Sequence, residues 1–164
     1  MISMKPLTET DVRSSFVNLT KGATKRLNMP VDLAERPWGD LDYLGWQDPK
    51  APQNHYLVTE HDGRLCGVAL RASRETRGPR KTMCALCTTV GDVALLVASR
   101  AGRSGQDGNS VGTYICADLD CSLKARNKRK PDTPVIHETL SVEQKVDRLL
   151  GNLDSFVARV LRPA

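Results

Sequence analysis

The chain has 164 residues, 40% of them hydrophobic and 26% charged, with a net charge of +5, a size at which one hydrophobic core organises the chain. Its longest apolar stretches, such as Val93 to Ala98, are far too short to span a bilayer, and the N-terminal residues lack the apolar core of a secretory signal, so membrane insertion is excluded and a cytoplasmic location is expected. Only two Phe, two Trp and three Tyr are present, so aromatic burial is sparse and a metal cross-link would help the core.

Thr8 followed by Asp11 reads as an N-cap with an acidic residue at the third helical position. Val12, Phe16, Leu19, Ala23 and Leu27 then recur at spacings of three or four, which predicts an amphipathic helix over 9–27. Gly22 weakens its middle by roughly 1 kcal/mol relative to Ala. Pro30 ends it, and the proline-bearing stretch from Val31 to Pro52 is expected to be mostly irregular.

Runs rich in Val, Leu and Tyr from His55 to Thr59 and from Leu65 to Leu70 flank the turn signal His61-Asp62-Gly63, which predicts a hairpin. Further strands are expected from Pro79 into Met83, from Asp92 to Ala98, and from Val111 to Ile115, with the glycine-rich segment 99–112 as a loop. Residues 118–127 suit a helix, with Asp at its start and Lys and Arg at its end. Pro131 and Pro134 interrupt the chain, and Ser141 with Gln144 opens a second capping box. Beyond it Val142, Val146, Leu149, Leu150, Leu153, Phe156, Val157 and Val160 line one stripe of a helix over 142–161.

Five cysteines stand in the chain, and four of them form two short-range pairs, Cys84-Ala85-Leu86-Cys87 and Cys116-Ala117-Asp118-Leu119-Asp120-Cys121. One pair falls at a strand-to-turn junction and the other enters a helix. In a reducing compartment this pattern points to a metal site more than to disulfides. Two pairs brought together by a hairpin supply the four soft ligands of tetrahedral zinc, and a closed site of that kind is structural rather than catalytic. The second pair has four intervening residues where two is commoner, so Asp120 or His137 stands as an alternative to Cys121. Cys66, in the middle of an apolar strand, reads as a core residue. No Ser-His-Asp, paired-carboxylate or phosphate-loop pattern is present, and no small-molecule substrate is expected.

The basic charge gathers around the cysteines: residues 64–130 carry 13 Lys or Arg against 5 Asp or Glu, and the remainder carries 11 against 14. That distribution favours an acidic partner, either nucleic acid or an acidic protein surface. Arg74, Arg77, Arg80 and Lys81 form one basic run, and Lys124, Arg126, Lys128, Arg129 and Lys130 another.

The order Tyr43-Leu44-Gly45-Trp46, a Tyr-Leu-Val strand, a turn, a Gly-Val-Ala strand, Cys-Ala-Leu-Cys, then Gly-Thr-Tyr-Ile-Cys-Ala-Asp and a last cysteine resembles a bacterial family. It is similar to the C-terminal treble-clef domain of the elongation factor G-binding, or FusB-type fusidic-acid-resistance, proteins, over roughly residues 8–128. The resemblance implies binding to elongation factor G through the zinc-bearing domain, with no covalent chemistry. The chain departs from the long resistance proteins in lacking their separate N-terminal helical bundle and in adding the helix 142–161, so a resistance phenotype does not follow.

These readings together predict an α+β fold: a small antiparallel sheet with a treble-clef zinc site, flanked by an N-terminal and a C-terminal helix. The expected organisation is an N-terminal helix in 1–30, the zinc-binding unit in 31–130 and the amphipathic helix in 131–164. The metal is expected to be structural Zn2+ on Cys84, Cys87, Cys116 and Cys121. Loops on metal-pinned scaffolds often carry function, so Arg100, Arg103 and Gln106 are the expected partner contacts, with Lys124 and Lys128 beside them. Elongation factor G is the first expected partner, and the ribosome or its RNA, including recruitment of a hibernation factor, is the alternative. Trp38 and Trp46 are either partner anchors or core residues.

Overall fold

A computed structural model describes residues 3–73, 78–130 and 138–162. Its centre is one antiparallel sheet of β1 (Leu44–Gln47), β2 (Asn54–His61), β3 (Arg64–Ala72), β4 (Arg80–Met83), β5 (Val90–Ser99) and β6 (Ser110–Cys116). β2 and β3 pair along their whole length and close on Asp62 and Gly63, both in the left-handed region. Two residues of positive φ match the right-handed twist of the flanking strands, the reason such dipeptides make tight hairpins. β5 is the hub. Its first four residues pair with β4, Leu96 and Val97 meet Ala72 and Arg71 of β3, and β6 runs beside it from Val93↔Cys116 to Ser99↔Ser110.

Alternation along the strands sends side chains into two separate cores. Leu57, Cys66, Val68 and Leu70 join the core built on β5, β6 and the C-terminal helix, whereas Tyr56 and Val58, together with Leu44 and Trp46 of β1, face an N-terminal cluster. Cys66 is thus the core residue its strand context predicts. α5 (Val142–Leu161, the fifth α-helix among the described residues) has the bounds the sequence gives it. It buries Val146, Leu149, Leu153, Phe156, Val157 and Val160, and Ser141 and Gln144 cap its start reciprocally.

The N-terminal segment corrects the expectation of one helix over 9–27. The Thr8 and Asp11 capping box is present, but α1 (Glu9–Arg13) stops after five residues and a second short helix, α2 (Lys21–Lys25), starts afresh on Thr20. Between them the chain extends along the open edge of β3: Gly67 N donates to Ser15 O at 2.8 Å and Val17 N to Gly67 O at 2.9 Å. The Asn18 amide continues the pairing, accepting from Ala69 N at 2.9 Å while donating to Ala69 O and Ser99 O. A sheet edge presents backbone donors and acceptors that need partners, and that demand outweighs helical periodicity here. Gly67 makes the approach possible, since a Cβ there would lie 2.6 Å from Ser15 Oγ. The periodic apolar positions still mark burial correctly, for Val12, Phe16, Leu19 and Leu27 all belong to the N-terminal cluster.

Two further expectations change, and a third gains detail. The stretch 31–52 is mostly irregular but holds two 3-10 turns, Leu33–Glu35 and Trp38–Asp40, and then β1, which pairs with β2 from Leu44↔Val58 to Gln47↔His55. Trp38 and Trp46 are both buried, and Trp46 stacks in a trio with Phe16 and Tyr56, ring centroids 5.1 to 6.5 Å apart. They serve the core. The segment 99–112 is ordered by α3 (Gly102–Gln106) and by three ties to the end of α5, Ala101 N to Val160 O and Arg100 Nη1 to Arg159 O and Arg162 O. The helix expected over 118–127 is shorter, α4 (Cys121–Ala125), bounded by Leu119 and Asn127 in left-handed conformations.

Candidate metal centre

Cys84 follows β4 and opens a tight turn. Its carbonyl accepts from Thr88 N at 3.0 Å, its N–H donates to Thr89 O at 3.0 Å, and its sulfur accepts from the N–H groups of Leu86 at 3.3 Å and Cys87 at 3.4 Å. Backbone donors aimed at a cysteine sulfur favour the thiolate, the form that binds metal. Across the sheet Cys116 ends β6 and Cys121 begins α4. The two extra residues of the second pair are taken up by a local turn: Leu119 N returns to Cys116 O at 2.9 Å, Asp120 N donates to Asp118 Oδ1 at 3.0 Å, and Leu119 adopts φ +57°. Gly45 of β1 leaves room for this turn, since a Cβ there would lie 3.0 Å from Leu119 Cβ and 2.9 Å from the Tyr43 ring.

All four sulfurs lie within 4.8 Å of one another, with Cys84 to Cys121 at 3.7 Å and Cys87 to Cys116 at 3.5 Å. Zinc held by four sulfurs at about 2.3 Å requires separations of about 3.8 Å, so the cluster is the size of a zinc tetrahedron. The residues are free thiols, between 0% and 4% exposed. Donor type, number, spacing and burial all fit a closed structural Zn2+ site. Cys121 therefore stands in the cluster with its three partners. Asp120 instead stands at the N-cap position of α4 with its side chain paired to Arg129, and His137 lies outside the described residues.

Neighbouring elements hold both pairs in place. α5 grips the first: Asn152 Nδ2 donates to Leu86 O at 2.9 Å, and Arg148 donates to Cys87 O while pairing with Glu138. A buried ion pair holds the second, with Arg126 at the C-cap of α4 donating to both oxygens of Asp42 at 2.7 and 3.0 Å. Asp42 N also donates to Ser122 Oγ, and its carbonyl accepts from Thr59. Neither charged side chain is visible in a charge count of the sequence as anything but surface. Their partners are 84 positions apart.

The thiols influence one another. Hydrogen bonds from Cys116 and Cys121 pull the Cys87 thiol well below its ordinary range, whereas burial pushes the Cys121 thiol up. Burial works against a charge on Lys124, yet the adjacent Cys116 and Asp118 outweigh it and hold the ammonium above its ordinary pKa. Burial, and next the Cys121 sulfur, raise the Tyr43 hydroxyl well above its usual value.

The candidate partner residues fall into different environments. Arg103 and Gln106 are exposed on α3. Arg100 donates to two carbonyls at the end of α5, Arg159 O and Arg162 O. The Lys128 ammonium meets both carboxylate oxygens of Asp40 at 2.8 Å, and Lys124 has a side chain only 7% exposed, paired with Asp118. Of the two basic runs, Arg74 and Arg77 lie outside the described residues, and Lys81 and Arg129 face Asp92 and Asp118.

Two short cysteine turns, one after a strand of the sheet and one opening a helix, together with a closed set of four buried thiols, define a treble-clef zinc-binding protein. Residues 11–160 match the family described as the FBP C-terminal treble-clef zinc-finger, and the chain belongs to that family. Among solved structures its fold is similar to that of the fusidic acid resistance protein FusC, with a TM-score of 0.62 and 17% identity over 96% of this chain. The chain spans 60% of the length of that protein. No curated protein matches it. Among the described residues no helix is long and apolar enough to cross a membrane.

Proposed function

We propose that the chain is a non-catalytic, cytoplasmic binding protein of the translation machinery that engages elongation factor G, on or near the ribosome, through its zinc-bearing sheet. The observation that carries this reading is the family match over residues 11–160, joined to a fold similar to that of a fusidic acid resistance protein. The donor set supports a structural metal, since four thiolates leave no open position for a substrate. Arg103 and Gln106 form the contact surface, and Arg100 anchors their loop to α5. Lys128 is a second, separate contact and meets the partner by exchanging Asp40 for an acidic group.

A protein partner is favoured over ribosomal RNA by the charge pairing itself. Lys81, Arg126, Lys128 and Arg129 all sit beside carboxylates, which reduces the free positive charge that phosphate binding exploits. The test is capture from bacterial lysate on the zinc-loaded chain, at low and moderate salt, with and without ribonuclease. Elongation factor G retained after ribonuclease treatment supports the proposal. Retention of ribosomal particles alone, lost on that treatment, overturns it in favour of RNA contact.

A further inference from the structure

Tyr43 carries a hydroxyl that packing alone does not require. The residue precedes β1, is 1% exposed, and its Oη has no hydrogen-bond partner among the described residues. The groups it faces are sulfurs, Cys121 foremost and then Cys84 and Cys116. A buried donor left without an acceptor destabilises the fold, so a phenylalanine would fill the same space at lower cost. Lys124 poses the same question. It lies three residues after Cys121 on α4, and its ammonium, nearly enclosed, pairs with Asp118 Oδ1 at 3.0 Å and is also stabilised by the neighbouring Cys116 sulfur.

Zinc answers both. Four thiolates around Zn2+ carry a net charge of −2, enclosed in a core, and such charge needs donors and a counter-charge. Cys84 already has the N–H groups of Leu86 and Cys87, and the Thr89 side chain faces Cys87. Cys116 and Cys121 have no backbone donor among the described hydrogen bonds. We infer that Tyr43 and Lys124 are the hydrogen-bond donors that hold the zinc-bound thiolates of Cys121 and Cys116. The Tyr43 O–H is satisfied by Cys121 Sγ, and the Lys124 ammonium supplies a positive charge beside the site that it shares with Asp118. Donation of this kind withdraws density from sulfur, which makes the thiolate a poorer base and a poorer nucleophile. Lys124 is thereby part of the metal site and not of the partner surface.

The test uses the full chain carrying Tyr43→Phe or Lys124→Met, with a chromophoric zinc chelator as competitor and with cobalt substituted for zinc. Tyr43→Phe keeps the ring and hence the packing. Loss of an outer donor lowers metal affinity by about 10-fold to 100-fold, and the chelator assay should show a loss of that order for each variant. In Tyr43→Phe the thiolate-to-cobalt charge-transfer band should also move to longer wavelength, because a sulfur without its donor is easier to oxidise. Lys124→Arg, which keeps the charge and a donor, should restore affinity lost in Lys124→Met. Each residue stands on its own variant: affinity within twofold of the parent and an unmoved band overturn the role of Tyr43. Affinity within twofold for Lys124→Met, or no recovery in Lys124→Arg, overturns that of Lys124. A parent chain that takes up no zinc overturns both.

Discussion

Arg126→Met isolates the device that fixes the second half of the zinc site. The Asp42 carboxylate is fully enclosed and the Arg126 guanidinium 4% exposed, with two hydrogen bonds between them. Removing the cation leaves an unpaired carboxylate in the core and strips a donor from Ser122 O. Breaking a buried pair from one side costs about 3–5 kcal/mol. At this chain length each kcal/mol lowers the melting temperature by about 2–4 °C, so a fall of roughly 6–20 °C is expected. The assays are thermal melting and urea unfolding of the zinc-loaded protein, both followed by the fluorescence of Trp38 and Trp46. Asp42→Asn combined with Arg126→Met removes the orphaned charge as well, and the double variant should recover a large part of the loss. Because Arg126 stands at the C-cap of the helix that Cys121 opens, the single variant should also yield zinc to chelator sooner than the parent. A single variant within about 1 kcal/mol of the parent would refute the reasoning.

Cys84→Ser and Cys116→Ser should each release zinc and lower stability sharply, because structural zinc binding is folding free energy; metal analysis and thermal melting check this, and full zinc content in either variant counts against the ligand set. His55 is 5% exposed and burial lowers its pKa, so the folded chain resists a proton that the unfolded chain accepts. Its contribution is present above about pH 6.5, the ordinary histidine value, and is lost as the pH falls below it. Denaturation at pH 7.5 and 5.5 should therefore show a smaller acid loss in His55→Gln than in the parent, and equal losses would remove His55 from the account. Arg103→Ala should leave the melting temperature unchanged while weakening capture of elongation factor G; unchanged capture sinks the α3 contact surface.

The zinc cluster was legible because its chemistry needs few residue types at short spacing, and the strands and turn between the pairs announce the path that joins them. α5 was legible for a different reason: twenty residues with one unbroken apolar stripe and a capping box have only one regular conformation that buries the stripe. The segment 9–27 shows the limit of that argument. Its apolar spacing was equally helical, yet the open edge of β3 at Gly67 and Ala69 recruited Ser15 to Asn18, a demand that arises only once the sheet exists. β1 was hidden by its length, four residues in a proline-bearing stretch, and its pairing depends on β2 rather than on its own composition. The charged residues were the least legible. Arg126 and Lys124 lie in one basic run with Lys128, but burial separates the first two from solvent, and nothing in a one-dimensional charge pattern encodes which face of α4 meets the core.

The central claim is a zinc-stabilised protein that binds elongation factor G, and titration calorimetry with purified components tests it most directly. The zinc-loaded chain should form a saturable complex with elongation factor G in the absence of ribosomes and RNA, weaker as salt rises and abolished when the metal is stripped. Absence of heat and of co-elution at micromolar concentrations, with the chain folded and fully zinc-loaded, would contradict it.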